Sequence, residues 1–78
     1  MISREEGLIL KEMGDLLRAV RTKKNLSQEQ VAFEVGISRS QYQSLERGVA
    51  NFGILTLYRL AEVLEVDPSV FIISNKTT

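Results

Sequence analysis

Two helix-start signatures, eleven residues apart, constrain this 78-residue chain more than any other feature. Ser27 is followed three residues later by Gln30, and Ser38 by Gln41. In each pair the serine hydroxyl can accept from an orphan N–H of the first turn, while the glutamine reaches back to the serine N–H. Gly36 and Gly48 stand where the helices so begun would have to stop. The spacing therefore predicts two short helices, over about 28–35 and 39–47, that meet across the three-residue turn Gly36-Ile37-Ser38. Val31, Ala32 and Val35 give the first an apolar face, and Tyr42 and Leu45 give one to the second.

The remaining punctuation is also helical. Ser3 with Glu6 reads as a further capping box, and Ile9, Met13, Leu16, Leu17 and Val20 recur at helical spacing behind it. A helix over about 4–24 is expected, broken or loosened near Gly7 or Gly14, since each glycine costs roughly 1 kcal/mol against alanine. Lys23 and Lys24 suit the negative end of its dipole, and Asn25 suits a left-handed stop. Ile54, Leu57, Leu60, Ala61 and Leu64 mark a fourth helix. Asp67-Pro68 opens a fifth, through Phe71, and the polar stretch 74–78 is expected to fray. The reading is one all-α domain of five helices, with residues 1–12 as an N-terminal extension.

What such a domain does is narrowed first by omission. The chain has no cysteine and no histidine, which removes disulfides, thiolate metal sites and the commonest general base. No cofactor, metal or small-molecule ligand is expected. Glu62, Glu65 and Asp67 read as a solvated helix face rather than a ligand cluster, and nothing near Ser27 and Lys24 offers an oxyanion hole. An enzyme is not expected. No apolar run reaches 18 residues and no basic-then-apolar leader opens the chain, so a cytoplasmic protein without a membrane partner is expected. Net charge is zero, but it is unevenly spread: −2 over 1–17, +3 over 18–51 and −1 over 52–78. The basic excess falls on the two short helices and their approach.

With Tyr42 and Leu45 inward, the second short helix turns Arg39, Ser40, Gln43, Ser44 and Arg47 outward, and Glu46 should turn toward the body. Arginine can take guanine bidentately, glutamine adenine, and serine either, and the major groove of DNA admits one helix. Two helices joined at a tight glycine turn, the second free to enter that groove, are the helix-turn-helix arrangement.

Over 17–71 the chain resembles the Cro/phage-repressor helix-turn-helix family, the xenobiotic-response-element type, to which restriction–modification controller proteins also belong. The matching segments are Leu17-Arg18-Ala19-Val20-Arg21, Leu26-Ser27-Gln28-Glu29-Gln30-Val31-Ala32, Val35-Gly36-Ile37-Ser38, Tyr42-Gln43-Ser44-Leu45-Glu46-Arg47-Gly48 and Thr56-Leu57-Tyr58-Arg59-Leu60-Ala61. The resemblance implies a lambda-repressor-like fold and a regulator of transcription that binds duplex DNA. It also implies base contacts from Arg39, Ser40 and Ser44, with Gln43 beside them. Phosphate contacts would come from Gln28, which would also brace the reading helix, and from Arg47 and Asn51, with Lys23 and Lys24 as further candidates. Arg21 and Glu46 match a partly buried ion pair that ties the first helix to the reading helix. The chain departs from the family pattern at Asn25 and Glu65, where glycine is frequent, and at Phe52, Gly53 and Leu55.

Leu8, Ile9, Leu10, Met13, Leu55, Phe71, Ile72 and Ile73 have no evident place in one small core. Among them Leu8, Ile9, Leu55, Phe71, Ile72 and Ile73 are read as candidates for a subunit interface. A two-fold homodimer would hold two reading helices one DNA turn apart, about 34 Å, on a palindromic operator. The competing reading is a protein-interaction module that uses Leu8, Ile9, Phe71 and Ile72, with DNA secondary.

Overall fold

The computed structural model describes residues 4–72. Within them the chain forms four α-helices: α1 (Arg4–Lys23), α2 (Gln28–Val35), α3 (Arg39–Arg47) and α4 (Ile54–Leu64). A single 3₁₀ turn, Pro68–Phe71, follows. The expectation of five helices is thus corrected to four. Asp67-Pro68 does open a helical turn, and the Asp67 carboxylate accepts from the Ser69 N–H at 2.9 Å. The bonds that follow run i to i+3, Val70 N–H to Asp67 and Ile72 N–H to Ser69, at 2.9 and 3.0 Å. Four residues are too few for an α-helical ladder, and the tighter pitch seats Phe71 in the core within one turn. Ser3 and the stretch 74–78 lie outside the described residues.

The two signature serines cap as their spacing predicts. Gln30 and Gln41 N–H groups donate to the Ser27 and Ser38 hydroxyls at 3.0 Å, and the serine N–H groups donate back to the glutamine side chains at 2.7 and 2.8 Å. α4 has no such cap; its N-cap is Gly53. Leu17 from α1, Val31, Ala32 and Val35 from α2, Tyr42 and Leu45 from α3, and Leu57, Leu60, Ala61 and Leu64 from α4 form one core with Phe71.

α1 is continuous through both of its glycines, contrary to the expected break. Gly14 is a contact rather than a weak point. A Cβ there would sit 2.5 Å from the Glu46 carbonyl oxygen and 2.6 Å from that of Leu45. Gly48, left-handed at φ 74°, answers from the other side, with space for a Cβ blocked by the Lys11 backbone. The backbone of α1 therefore lies directly on the last turn of α3 and fixes how α3 leaves the body.

Two non-glycine residues, Asn25 and Glu65, hold φ at 59°. Asparagine tolerates this region; glutamate does so at a cost of roughly 1–2 kcal/mol. Lys24 lies 3.3 Å from the Glu65 carboxylate, but Glu65 is largely exposed and such pairs contribute little. Glu65→Gly should therefore raise stability by about 0.5–1 kcal/mol, after the greater unfolded-chain freedom of glycine is subtracted. A lower midpoint in urea would show instead that the ion pair outweighs the backbone strain.

Candidate nucleic-acid interface

α3 is two-sided. Tyr42, Leu45 and Glu46 are buried, with Glu46 1% exposed. Arg39, Ser40 and Arg47 are exposed, and Gln43 and Ser44 are half-buried. Ser44 lines a shallow hollow with Ala50, Asn51 and Thr56, so the loop after α3 closes against its C-terminal half. Asn51 is exposed at the rim of that hollow. The outer face of α3 carries two cations, two hydroxyls and an amide, and no carboxylate.

The missing carboxylate is inside, at the centre of a polar knot. Glu46 accepts from Arg21 Nε at 2.6 Å and from its Nη2 at 3.2 Å, a bidentate pair between α1 and α3. The Tyr42 hydroxyl, one turn back on α3, donates to it at 2.6 Å. Gln28 Nε2, the first residue of α2, donates at 3.0 Å. Arg18 Nε lies 3.6 Å away. Arg21 is held further by donating to the Leu26 carbonyl at 2.8 Å. Three helices are therefore tied to one carboxylate. Burial pushes the Glu46 carboxyl up, but the bonds from Arg21, Tyr42 and Gln28 outweigh it and leave it below the ordinary carboxylate range. The bond to Glu46 raises the Arg21 guanidinium above its usual value, against the opposing effect of burial. Burial first, and then the bond to Glu46, pushes the Tyr42 hydroxyl well up, so it stays a donor. Among the described residues no buried side-chain polar atom lacks a partner.

Gln28 does more than join this knot. Its Oε1 accepts from Gln43 Nε2 at 3.1 Å, so the start of α2 reaches the outward half of α3. Lys23 and Lys24 are exposed at the end of α1. Lys24 is engaged with Glu65 at the end of α4, and neither lysine bonds to a side chain of α3.

Two residues were missed in the sequence. Arg18 lies three residues before Arg21, hence on the same face of α1, and that spacing pointed to a second cation beside Glu46. Tyr42 was read as apolar packing, although Glu46 four residues on is the natural acceptor for its hydroxyl.

The expected subunit-interface set divides. Leu8, Ile9, Leu55 and Ile72 are exposed, between 43% and 69%. Phe71 is not: it is fully buried, because the 3₁₀ turn directs it into the shared core, and it is withdrawn as an interface residue. Leu10 is likewise core. Ile73 lies outside the described residues. The sequence did not single out Tyr58 or Phe33, both of which are exposed. The competing interaction-module reading loses Phe71 in the same way.

A buried carboxylate that locks α3 against α1 and α2, and a carboxylate-free polar face on the other side of α3, define a helix-turn-helix domain of the DNA-binding type. The helix-turn-helix family model matches residues 17–71, and the chain belongs to that family, whose members are non-catalytic DNA-binding regulators of transcription. It is 41% identical over 56 residues to an uncharacterised HTH-type transcriptional regulator, y4dJ, of Sinorhizobium fredii, covering 72% of this chain and 73% of that protein. It is 34% identical to the control protein C.BamHI of Bacillus amyloliquefaciens, over 70% and 69% of the two chains. Among solved structures it superimposes on the restriction–modification controller protein C.AhdI from Aeromonas hydrophila. The TM-score is 0.77 at 39% identity, over 80% of this chain and 94% of that one.

Among the described residues no group of side chains could hold a metal ion. Nor is any helix there long and apolar enough to cross a membrane.

Proposed function

We propose that the chain works as a homodimer that binds a palindromic operator, with α3 of each subunit in the major groove. The observation that carries this reading is the two-sidedness of α3: its one carboxylate is buried on Arg21, and its outer face holds only groups that bases and phosphates accept. In this reading Arg39, Ser40, Gln43 and Ser44 meet base edges, and Gln28, Arg47, Asn51, Lys23 and Lys24 meet phosphates. The exposed apolar residues Leu8, Ile9, Leu55 and Ile72 supply the surface for pairing, and a domain this small gains stability from such a partner. The protein acts in the cytoplasm, on whatever promoter its operator overlaps.

The test is selection of bound fragments from random duplex DNA, followed by titration of the winning duplex. Arg39→Ala should weaken the selected operator by about 1–3 kcal/mol and relax the preference at one base pair per half-site. Selection that returns no consensus, or an Arg39→Ala protein that binds the operator as the parent does, overturns this placement of α3.

A further inference from the structure

We infer that the groove between the first half of α1 and the start of α4 binds a small amphipathic amine, and that the bound amine weakens operator binding from behind Asn51. The site itself stands on the fold. Its effect on DNA rests on the phosphate contact proposed above for Asn51.

α1 packs mainly on α3 and α4 mainly on α2, which leaves a groove of about 300 Å³ between α1 and the start of α4. Leu10 and Leu57 are buried at its floor, and Ile9 and Ile54 stand exposed along its sides. Glu6 and Asn51 are the polar residues of its lining. A concave apolar surface with a few polar groups is the usual form of a small-molecule site. At about 30 Å³ for each water-sized group, this one has room for about ten heavy atoms. The helix-turn-helix match begins at residue 17, and the α1 side of the groove lies entirely before it, so the groove is a feature of this chain and not of the shared fold. Its chemistry selects the occupant. The leucine and isoleucine side chains take a hydrocarbon body. The charged group is a carboxylate, on Glu6, and Asn51 offers a side-chain carbonyl. Both accept from an ammonium, whereas an acidic head would meet Glu6 as a like charge. The occupant is thus a primary amine on a body of about eight carbons. Asn51 also lines the hollow it shares with Ser44 on the DNA side, so this residue stands on the ridge between the groove and the reading face. An Asn51 side chain turned onto the amine is withdrawn from phosphate, and by linkage the operator in turn weakens the amine. Ile9 also belongs to the surface proposed for pairing, so a second copy is the competing occupant.

Octylamine is the probe, with octanoate, octan-1-ol and methylamine as controls, added to the full chain and followed by backbone-amide NMR. Octylamine should give saturable shifts centred on residues 9–13 and 51–57, with a midpoint of about 10 mM or below. Octanoate should bind roughly tenfold more weakly. Glu6→Gln, which keeps the capping ability of residue 6, should bind octylamine no better than octan-1-ol. At its midpoint, octylamine should lower affinity for the selected operator about fourfold, a factor of two for each subunit. That loss is measured against the same concentration of methylamine, which carries the charge without the hydrocarbon body. No saturable shift by about 10 mM, or equal binding of octanoate by the wild type, overturns the site. Shifts at these amides that follow dilution of the protein instead of the amine put a second copy in the groove and overturn it as well. Bound octylamine that leaves operator affinity at the methylamine value overturns the coupling to DNA. A wild type that selects no operator overturns the reading of α3, whereas the groove is decided by the shifts alone.

Discussion

Glu46→Ala should cost about 3–5 kcal/mol, the range seen when one partner of a buried ion pair is removed. A chain of this length has roughly 4–12 kcal/mol in all, so the variant should lose a large share of its stability and melt far below wild type. The loss arises from what is left behind. Arg21, with a side chain only 12% exposed, keeps a single acceptor, the Leu26 carbonyl. The Tyr42 hydroxyl, on a fully buried residue, has nothing to donate to, and Gln28 loses its anchor. Glu46→Gln should cost less, because an amide oxygen can still accept from Arg21 while its NH₂ can donate to Tyr42. Replacing Arg21 and Glu46 together by methionine should recover most of the loss, since no uncompensated charge remains. Thermal melts of the three variants check the order, and about 4–8 °C per kcal/mol makes the differences easy to resolve in a domain this small. A Glu46→Ala protein that melts within a few degrees of wild type would show that the knot holds geometry without holding stability.

The same carboxylate sets part of the acid limit. Its folded-state pKa is depressed, and the unfolded chain takes up a proton near the ordinary value of about 4.3. The unfolded state therefore binds more protons in the window below that value, and stability falls as the pH falls. The contribution is complete above about pH 5 and is lost as the pH drops through the depressed folded value. Urea midpoints at neutral and acid pH should converge between wild type and Glu46→Gln as the pH is lowered.

The fold is legible in the sequence where the determining interactions are local. A capping box is closed within four residues, so Ser27–Gln30 and Ser38–Gln41 were readable, and with them the turn that aims α3. The inward turn of Glu46 was readable too, because Tyr42 and Glu46 share one helical face. The misreadings have nonlocal causes. Gly14 looks like a flaw in a helix until the carbonyls of Leu45 and Glu46, more than 30 residues away in the chain, are found resting on it. Asp67-Pro68 starts an α-helix and a 3₁₀ turn with the same signal, and only the depth at which Phe71 is buried decides between them. The Gln28–Gln43 bond joins two residues individually picked as DNA contacts, but its polarity comes from Glu46, 18 residues beyond Gln28. The exposed apolar residues are the hardest class. Periodicity assigns Ile54 to the core side of α4, yet as the first residue of an uncapped helix it is 60% exposed.

Raising the salt from 50 to 200 mM should weaken operator binding about 10³-fold. Lys23, Lys24 and Arg47 are the cations each subunit brings to phosphates, and a dimer that neutralises about six of them releases counterions with a log–log slope near −5. A monomer on a half-site would give about half that slope, so the measurement also counts subunits on the DNA. Arg21 is left out because Glu46 balances it inside the fold, and Arg18 because it lies on α1, 3.6 Å from the same carboxylate, and is assigned no phosphate. Lys24 is the informative case. It faces Glu65 at 3.3 Å, but that carboxylate is 79% exposed and an exposed pair contributes little, so a phosphate should win the ammonium at small cost. Lys24→Met should then make the slope shallower by about 2, one phosphate for each subunit. A slope unchanged by Lys24→Met would place that ammonium on Glu65 in the complex as well, and would leave Arg47 and Lys23 as the phosphate-neutralising cations.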